Sequence, residues 1–426
     1  MRFRPFANPA LLLFALGLAT PCVRAESASA DSGFRVLHSA CKKAGCPDGG
    51  TSTGGVILEN DGSLLGTGDG GKNGRGVLFR LAPDGHGVDT AYTRLHNFCG
   101  GTCKDGAAPD FPLIRDANGN VYGTTTIGGA GDGGTIFEAS PDGQVKALHA
   151  FCSGDCGTGF SPSSGVTYQG AAAGLSYDGA APLYGTTSQG GSLNGGTVYT
   201  FTRQDGKSRV KMLYNFCSTL PCDAGMLPIG GLTADASGNI FGIANLGGAQ
   251  GQGAVFELSP AGAKYNYRVI YSFCSQQSCT DGSRPQAGLA LDSAGNLYGT
   301  TLRLGDHDEG TLFELSPSGG GYSFQVLYQF AGLGDGGAPE ASLAIDAAGN
   351  LFGTAAQGGD AGNGVVFEFT AGTKTESVLH SFCAQQGCAD GADPFSPLTM
   401  DANGDLFGST AAGGASNAGV TFEVKR

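Results

Sequence analysis

The sequence predicts an all-β chain folded as a seven-bladed β-propeller, with four antiparallel strands per blade. Three observations predict it. One module recurs seven times between residue 34 and the last residue, and fixed-period self-similarity dictates architecture. Each module holds four short strand candidates, with no stretch of 12 or more residues that sustains a helical apolar period. The repeat is also out of phase with the termini: the first strand candidate, Phe34–Ser39, is of the fourth type and the last, Val420–Val424, is of the third.

The clearest copies are Leu-Asp-Ser-Ala-Gly-Asn-Leu-Tyr-Gly-Thr-Thr (residues 291–301) and Ile-Asp-Ala-Ala-Gly-Asn-Leu-Phe-Gly-Thr-Ala (residues 345–355). A Leu-His/Tyr-x-Phe element begins at Leu37, Leu95, Leu148, Leu213, Ile270, Leu327 and Leu379, at spacings of 52 to 65 residues. The longest interval carries an insertion around residues 170–182, and the first copy has Ala40 where the others have Phe. Within one module the strands are expected at residues 288–292, Leu297–Thr301, 310–315 and 324–330. Clusters of Gly, Pro, Asn and Asp between them are turn chemistry. A β-sandwich has no such period, and a β-solenoid uses shorter repeats. Pairing Phe34–Ser39 with Val420–Val424 completes the seventh blade and removes the exposed edges of an open array.

The first 25 residues read as a secretory signal peptide. Arg2 and Arg4 open it, an apolar run over residues 11–19 is too short to span a bilayer, and Val23-Arg24-Ala25 fits a cleavage site. Pro21 before Cys22 argues against lipidation. A short linker (residues 26–33) and the propeller (residues 34–426) follow. Removing Arg2, Arg4 and Arg24 from 24 basic residues leaves 21 against 37 acidic ones, a formal charge of −16. Nucleic acid and anionic membranes require a basic footprint and are not expected partners. No other long apolar run exists, so no membrane insertion of the mature chain is expected. An exported monomer, periplasmic or extracellular, is the expectation, with an unknown protein or glycan as ligand and no cofactor.

Cys22 leaves with the signal peptide, and the other twelve cysteines form close pairs at equivalent repeat positions. Cys41 goes with Cys46, Cys99 with Cys103, Cys152 with Cys156, Cys217 with Cys222, Cys274 with Cys279 and Cys383 with Cys388. Local disulfides are the simplest connectivity in an exported chain. Zinc needs four ligands per site, and each repeat offers two sulfurs without a companion His.

The pattern Asp-x-x-Gly-Asn-Leu-Tyr-Gly-Thr-Thr…Gly-Gly…Gly-Thr-Val-Phe-Glu-Leu resembles the Gloeo–Verruco (GloVer) tandem repeat of exported bacterial proteins, over nearly the whole mature chain. The Asp-x-x-Gly-Asn-Leu-Tyr element also resembles NHL-type propellers. The first resemblance implies a propeller-like exported protein; it transfers no reaction and no catalytic residue.

Propeller topology places the Gly-Gly loops and the Cys-pair loops on one face. These are the longest loops, so a ligand site is expected there, near the central channel. His38, His96, His149 and His380 share one repeat position with Tyr214, Tyr271 and Tyr328, which makes it a packing position. His86 lies in a turn on the other face. The weak catalytic candidates are Asp306, His307, Asp308 and Glu309, where one loop clusters a His with three acids. The acidic residue before each Gly-Asn (Glu59, Asp116, Asp178, Asp235, Asp292, Asp346 and Asp401) fits a turn-capping role better than calcium, because Asp401–Asp405 lacks a later bidentate Glu. No nucleophile elbow, phosphate loop or His-Glu-x-x-His stretch is present, and Trp is absent. The expected function is a non-enzymatic binding or protein-interaction scaffold. The alternatives are a lyase or hydrolase with its site on the Cys-loop face, and a structural envelope or matrix protein.

Overall fold

A computed structural model describes residues 33–42, 46–50, 52–83, 90–154 and 156–426. The signal-peptide reading, the linker up to residue 32 and His86 lie outside the described residues. Seven antiparallel sheets follow one another along the chain, the predicted propeller. Their innermost strands begin blades 1 to 7 in order: Val56–Leu58, Ile114–Arg115, Phe160–Pro162, Thr233–Ala234, Ala290–Leu291, Ala344–Ile345 and Thr399–Met400. In blade 3 the inner position is split, and Phe160–Pro162 and Thr167–Tyr168 both pair with Leu183–Gln189. The ring closes as the phase of the repeat requires. Phe34–Ser39 pairs antiparallel with Val420–Val424, from Phe34 opposite Val424 to Ser39 opposite Val420.

Blade 5 shows how the module works. Its strands are Ala290–Leu291, Leu297–Thr301, Thr311–Ser318 and Gly321–Gln329. The last two run past the predicted limits. Pro317 reads as a strand end in the sequence, yet it pairs with Tyr322 near the hairpin tip, at the periphery of the ladder where proline is tolerated. Gly319 and Gly320 close that hairpin with φ of 57° and 82°, the left-handed pair of a type I′ turn. The inner strand is two residues long because it hands over early to the loop that lines the channel.

The motif residues have separate packing reasons. A Cβ on Gly299 would sit 2.6 Å from Cζ of Phe313, so the Gly of Tyr-Gly-Thr-Thr is needed for the space a third-strand ring occupies. The same ring-over-glycine contact recurs at Gly66, Gly123, Gly185, Gly242, Gly353 and Gly408. Most such rings also meet the preceding blade. Phe273, fully buried, packs edge-to-face on Phe313 at 5.2 Å, and Phe98–Phe137, Phe216–Phe256, Phe330–Phe367 and Phe382–Phe422 repeat this at 5.1 to 5.2 Å. Phe151 makes the same contact with Tyr199 at 5.1 Å. The seventh joint has Ala40 instead, and a cavity of about 10 Å³ remains beside Ala40, Phe79 and Tyr92.

The threonines add hydrogen bonds. The second Thr of the motif meets the Thr that opens the third strand: Thr125 with Thr135 at 2.9 Å and Thr301 with Thr311 at 3.0 Å. The first reaches the next blade: Thr124 Oγ1 donates to the Ser164 carbonyl at 2.7 Å. Asp292 caps its turn, with Oδ1 accepting the Ala294 and Asn296 N–H groups at 2.9 and 2.8 Å and Oδ2 accepting Asn296 Nδ2 at 2.8 Å. Asp116, Asp346 and Asp401 make the same turn.

Gly299→Ala is expected to destabilise the protein by about 1–3 kcal/mol through overpacking against Phe313. Gly334→Ala, where a Cβ meets nothing within 4 Å, is expected to stay within about 0.5 kcal/mol of the parent in the same urea titration.

Candidate functional site

Two sets of loops build one face. Isolated bridges join the loop entering a blade to the loop between its second and third strands: Ala107 with Ile127, Ser283 with Arg303, Gly337 with Gln357 and Ala392 with Ala412. All six cysteine pairs are disulfide-bonded on this face, with the local connectivity expected from their spacing. Cys41 is joined to Cys46, Cys99 to Cys103 and Cys152 to Cys156. Cys217 is joined to Cys222, Cys274 to Cys279 and Cys383 to Cys388. Each bond closes a loop of four or five residues' separation, so it stiffens one turn and ties no blade to another.

Cysteine loops are also held by an aspartate that sequence reasoning missed. Asp281, fully buried, accepts the Ser275 N–H at 2.8 Å and the Tyr271 hydroxyl at 2.6 Å. Asp390 does the same for the Ala384 N–H, with His380 Nε2 at 3.3 Å, and His96 lies 2.8 Å from Asp105. The shared His/Tyr position is therefore a packing site with a hydrogen-bonding tip. Burial holds the His380 imidazole below its ordinary pKa, against the pull of Asp390. The loop into blade 6 has no cysteines. There Asp335 still accepts the Ala331 N–H and the Tyr328 hydroxyl, both at 2.9 Å.

Next to each loop the chain turns into the channel by a common device. Ala108, Ser161, Leu227, Arg284, Ala338 and Asp393 each precede a proline and take φ of 50° to 56°. A non-glycine residue in this region costs about 1–2 kcal/mol. The surroundings hold it from both sides: the Ala338 N–H donates to Glu309 O of blade 5 at 2.9 Å, and Ala338 O accepts the Ala356 N–H of its own blade at 3.3 Å. Strained non-glycine positions of this kind gather where a fold clamps a site.

The residue after the proline then faces the channel; in blade 1, Ser52 stands where the other blades have proline. Around the ring these positions are Thr53, Asp110, Ser163, Ile229, Gln286, Glu340 and Phe395, and all seven line one cavity of about 700 Å³. That volume lies in the range of small-molecule sites. Deeper positions are small or rigid: Pro112, Gly165, Gly231, Gly288, Ser342 and Pro397. Two carboxylates, from blades 2 and 6, stand at the mouth. Burial, then the neighbouring charge of Asp69, raises the Asp110 carboxyl to about 6, while a hydroxyl hydrogen bond from Thr126 at 3.5 Å opposes this. Burial raises Glu340 as well, with Arg303 lowering it and Asp393 raising it.

The cluster Asp306, His307, Asp308 and Glu309 is on this face but does not line the cavity. His307 is exposed. Asp308 takes φ of 64° and accepts the Leu304 N–H at 3.1 Å, the role of Asp132 in blade 2 and Asn194 in blade 3. Glu309 folds against Gly332 and Gly337 of the cysteine-free loop, filling space there. Among the described residues no group of three or more His, Cys, Asp or Glu could hold a metal ion. The insertion lies on the opposite face, where the Gly170 N–H donates to Asp235 O at 3.2 Å and Leu175 is 57 % exposed.

The Asp110 pKa sets a stability test. The folded value lies above the unfolded one near 4, so the folded state holds its proton more tightly in that window, and stability falls as pH rises from about 4 to about 6. Asp110→Asn is expected to be more stable than the parent at pH 7.5, by of order 2 kcal/mol, with the difference shrinking towards pH 4 in thermal melts.

No curated protein matches the sequence. Many solved structures are similar in fold, three of them as follows. A puromycin-hydrolyzing peptidase of Mycobacterium tuberculosis is 11 % identical with a TM-score of 0.49, over 92 % of this chain and 55 % of that one. This chain thus spans about half the length of that peptidase. A putative oxidoreductase (glucose dehydrogenase) of Thermus thermophilus is 14 % identical with a TM-score of 0.41, over 73 % of this chain and 94 % of that one. A protein of unknown function from Dyadobacter fermentans is 13 % identical with a TM-score of 0.42, over 92 % of this chain and all of that one. Likenesses this distant carry no argument about activity. The Gloeobacter/Verrucomicrobia repeat profile matches residues 26–182 and 228–426, and the chain belongs to that family.

Proposed function

We propose that this chain is an exported, non-enzymatic binding module whose ligand site is the channel mouth on the Cys-loop face. One observation carries the reading. Positions that build the blades repeat nearly unchanged, as in the buried phenylalanines of the fourth strands and the glycines beneath the third-strand rings. The seven equivalent mouth positions carry seven different side chains. Packing alone demands no such variety, whereas asymmetric recognition does. The lining mixes apolar Ile229 and Phe395 with a few convergent polar groups, the usual make-up of a small-molecule site.

The non-enzymatic part rests on the roles of the polar residues. The Ser163 hydroxyl donates to Pro228 O of the next blade at 2.6 Å, and Ser164 Oγ accepts from Thr186 Oγ1 of its own blade at 3.0 Å, so both are engaged in holding the scaffold. No histidine or cysteine is among the residues lining the cavity. The export part rests on the six disulfides and the apolar N-terminal run.

A fragment screen by ligand-observed NMR on the wild type and Gln286→Trp tests the site. Gln286→Trp is expected to retain the fold by circular dichroism and to lose the hits. Hits that persist in the plugged variant contradict the site, and conversion of any hit to product contradicts the non-enzymatic reading. N-terminal sequencing of the protein recovered outside the cytoplasm is expected to begin at Glu26. An uncleaved chain with twelve free thiols besides Cys22 contradicts export.

A further inference from the structure

We infer that the channel mouth selects a small organic ammonium ion with an apolar body, held by Asp110. This rests on the reading of the mouth as a ligand site and names the chemistry of what enters. Both charged residues that line the cavity are carboxylates, and no Lys, Arg or His lines it. Neither carboxylate is saturated by the protein. Asp110 receives one side-chain hydrogen bond, the 3.5 Å contact from Thr126, and no hydrogen bond reaches the Glu340 carboxylate among the described residues. A carboxylate accepts up to about four hydrogen bonds, and a primary ammonium supplies three donors and the missing charge.

The rest of the wall suits the remainder of such a molecule. Phe111, Phe395 and Ile229 offer apolar contact, and an aromatic face near a cation adds attraction. Gln286 offers a neutral polar contact on the same ring. Half-burial of the carboxylates costs free energy in the empty site, and a bound cation recovers it. An anion would have to enter beside two acids with no cation among the lining residues, and a neutral ligand would leave Asp110 uncompensated, whereas Glu340 already feels Arg303. The overall formal charge of −13 also favours the approach of cations.

Three probes of matched shape separate charge from shape: phenethylamine, 2-phenylethanol and 3-phenylpropionate, titrated by calorimetry or NMR into the full disulfide-bonded protein. Phenethylamine is expected to bind at least tenfold more tightly than the alcohol, and the carboxylate not to bind measurably. Asp110→Asn is expected to weaken the amine about tenfold or more and to leave the alcohol within about twofold, and Glu340→Gln to weaken the amine less than Asp110→Asn does. Their folding is checked by thermal melts. Equal binding of all three probes, no binding of the amine, or amine binding indifferent to Asp110→Asn overturns the inference. Gln286→Trp keeps the two readings apart. If it abolishes binding that is blind to charge, the mouth is a site and the ammonium inference is wrong. If it leaves amine binding intact, the mouth is not the site.

Discussion

The contact on which the structure depends is a three-layer stack at six of the seven blade joints. A phenylalanine at the end of one fourth strand meets the edge of a third-strand ring in the next blade, and that ring lies over a glycine of its own second strand. The stack sets how closely neighbouring sheets approach, and the glycine is the condition for it. The joint at Ala40 lacks the stack. That joint is bridged by His38 stacked on Tyr92 at 4.6 Å and by the Ser409 hydroxyl donating to Ser52 O at 2.5 Å, while blade 7 itself is closed by the ladder between Phe34–Ser39 and Val420–Val424, aided by the Ser39 hydroxyl, which accepts the Ala415 N–H at 2.7 Å. The circle is thus held by ring packing at the joints that have it and by strand pairing within the seventh blade.

From this frame the channel follows. Because the joints are built alike, the inner loops arrive at the axis in equivalent poses, six of them fixed by a left-handed residue and a proline. Equivalent poses make the chemistry of the mouth a matter of one side chain per blade. The scaffold bears the strain of the left-handed positions through paired backbone hydrogen bonds, so most mouth residues need not stabilise the fold, although Ser163 and Thr53 each donate to a backbone carbonyl of the next blade. They are free to be unlike one another, and two of them are carboxylates held partly out of water.

The architecture was legible because it is periodic. Strand count, ring closure and the cysteine pairs all follow from spacing, and the closing strands occupy the predicted residues. What was not legible depends on partners brought together by folding. Asp281 meets Tyr271 only once the loop between Cys274 and Cys279 closes, and Thr124 finds its acceptor at Ser164 in another blade. The inner strands shrank to two or three residues because the chain leaves the ladder to line the channel, which no local pattern announces. The expected face for a site was derived from topology, but Asp110 and Glu340 sit in ordinary Pro-x loop segments and carried no signal until the ring aligned them. His307 drew attention through local composition, and its neighbour Asp308 serves a turn that Asp132 also makes.

The closure of the seventh blade is the point where the account is most exposed. Hydrogen exchange followed by mass spectrometry on the native protein addresses it directly. The account predicts that amides of Phe34–Ser39 exchange as slowly as those of Val420–Val424 and are released together with the blades in global unfolding. Fast exchange of Phe34–Ser39 while the other blades stay protected would contradict it, and would leave the ring open at its seventh sheet.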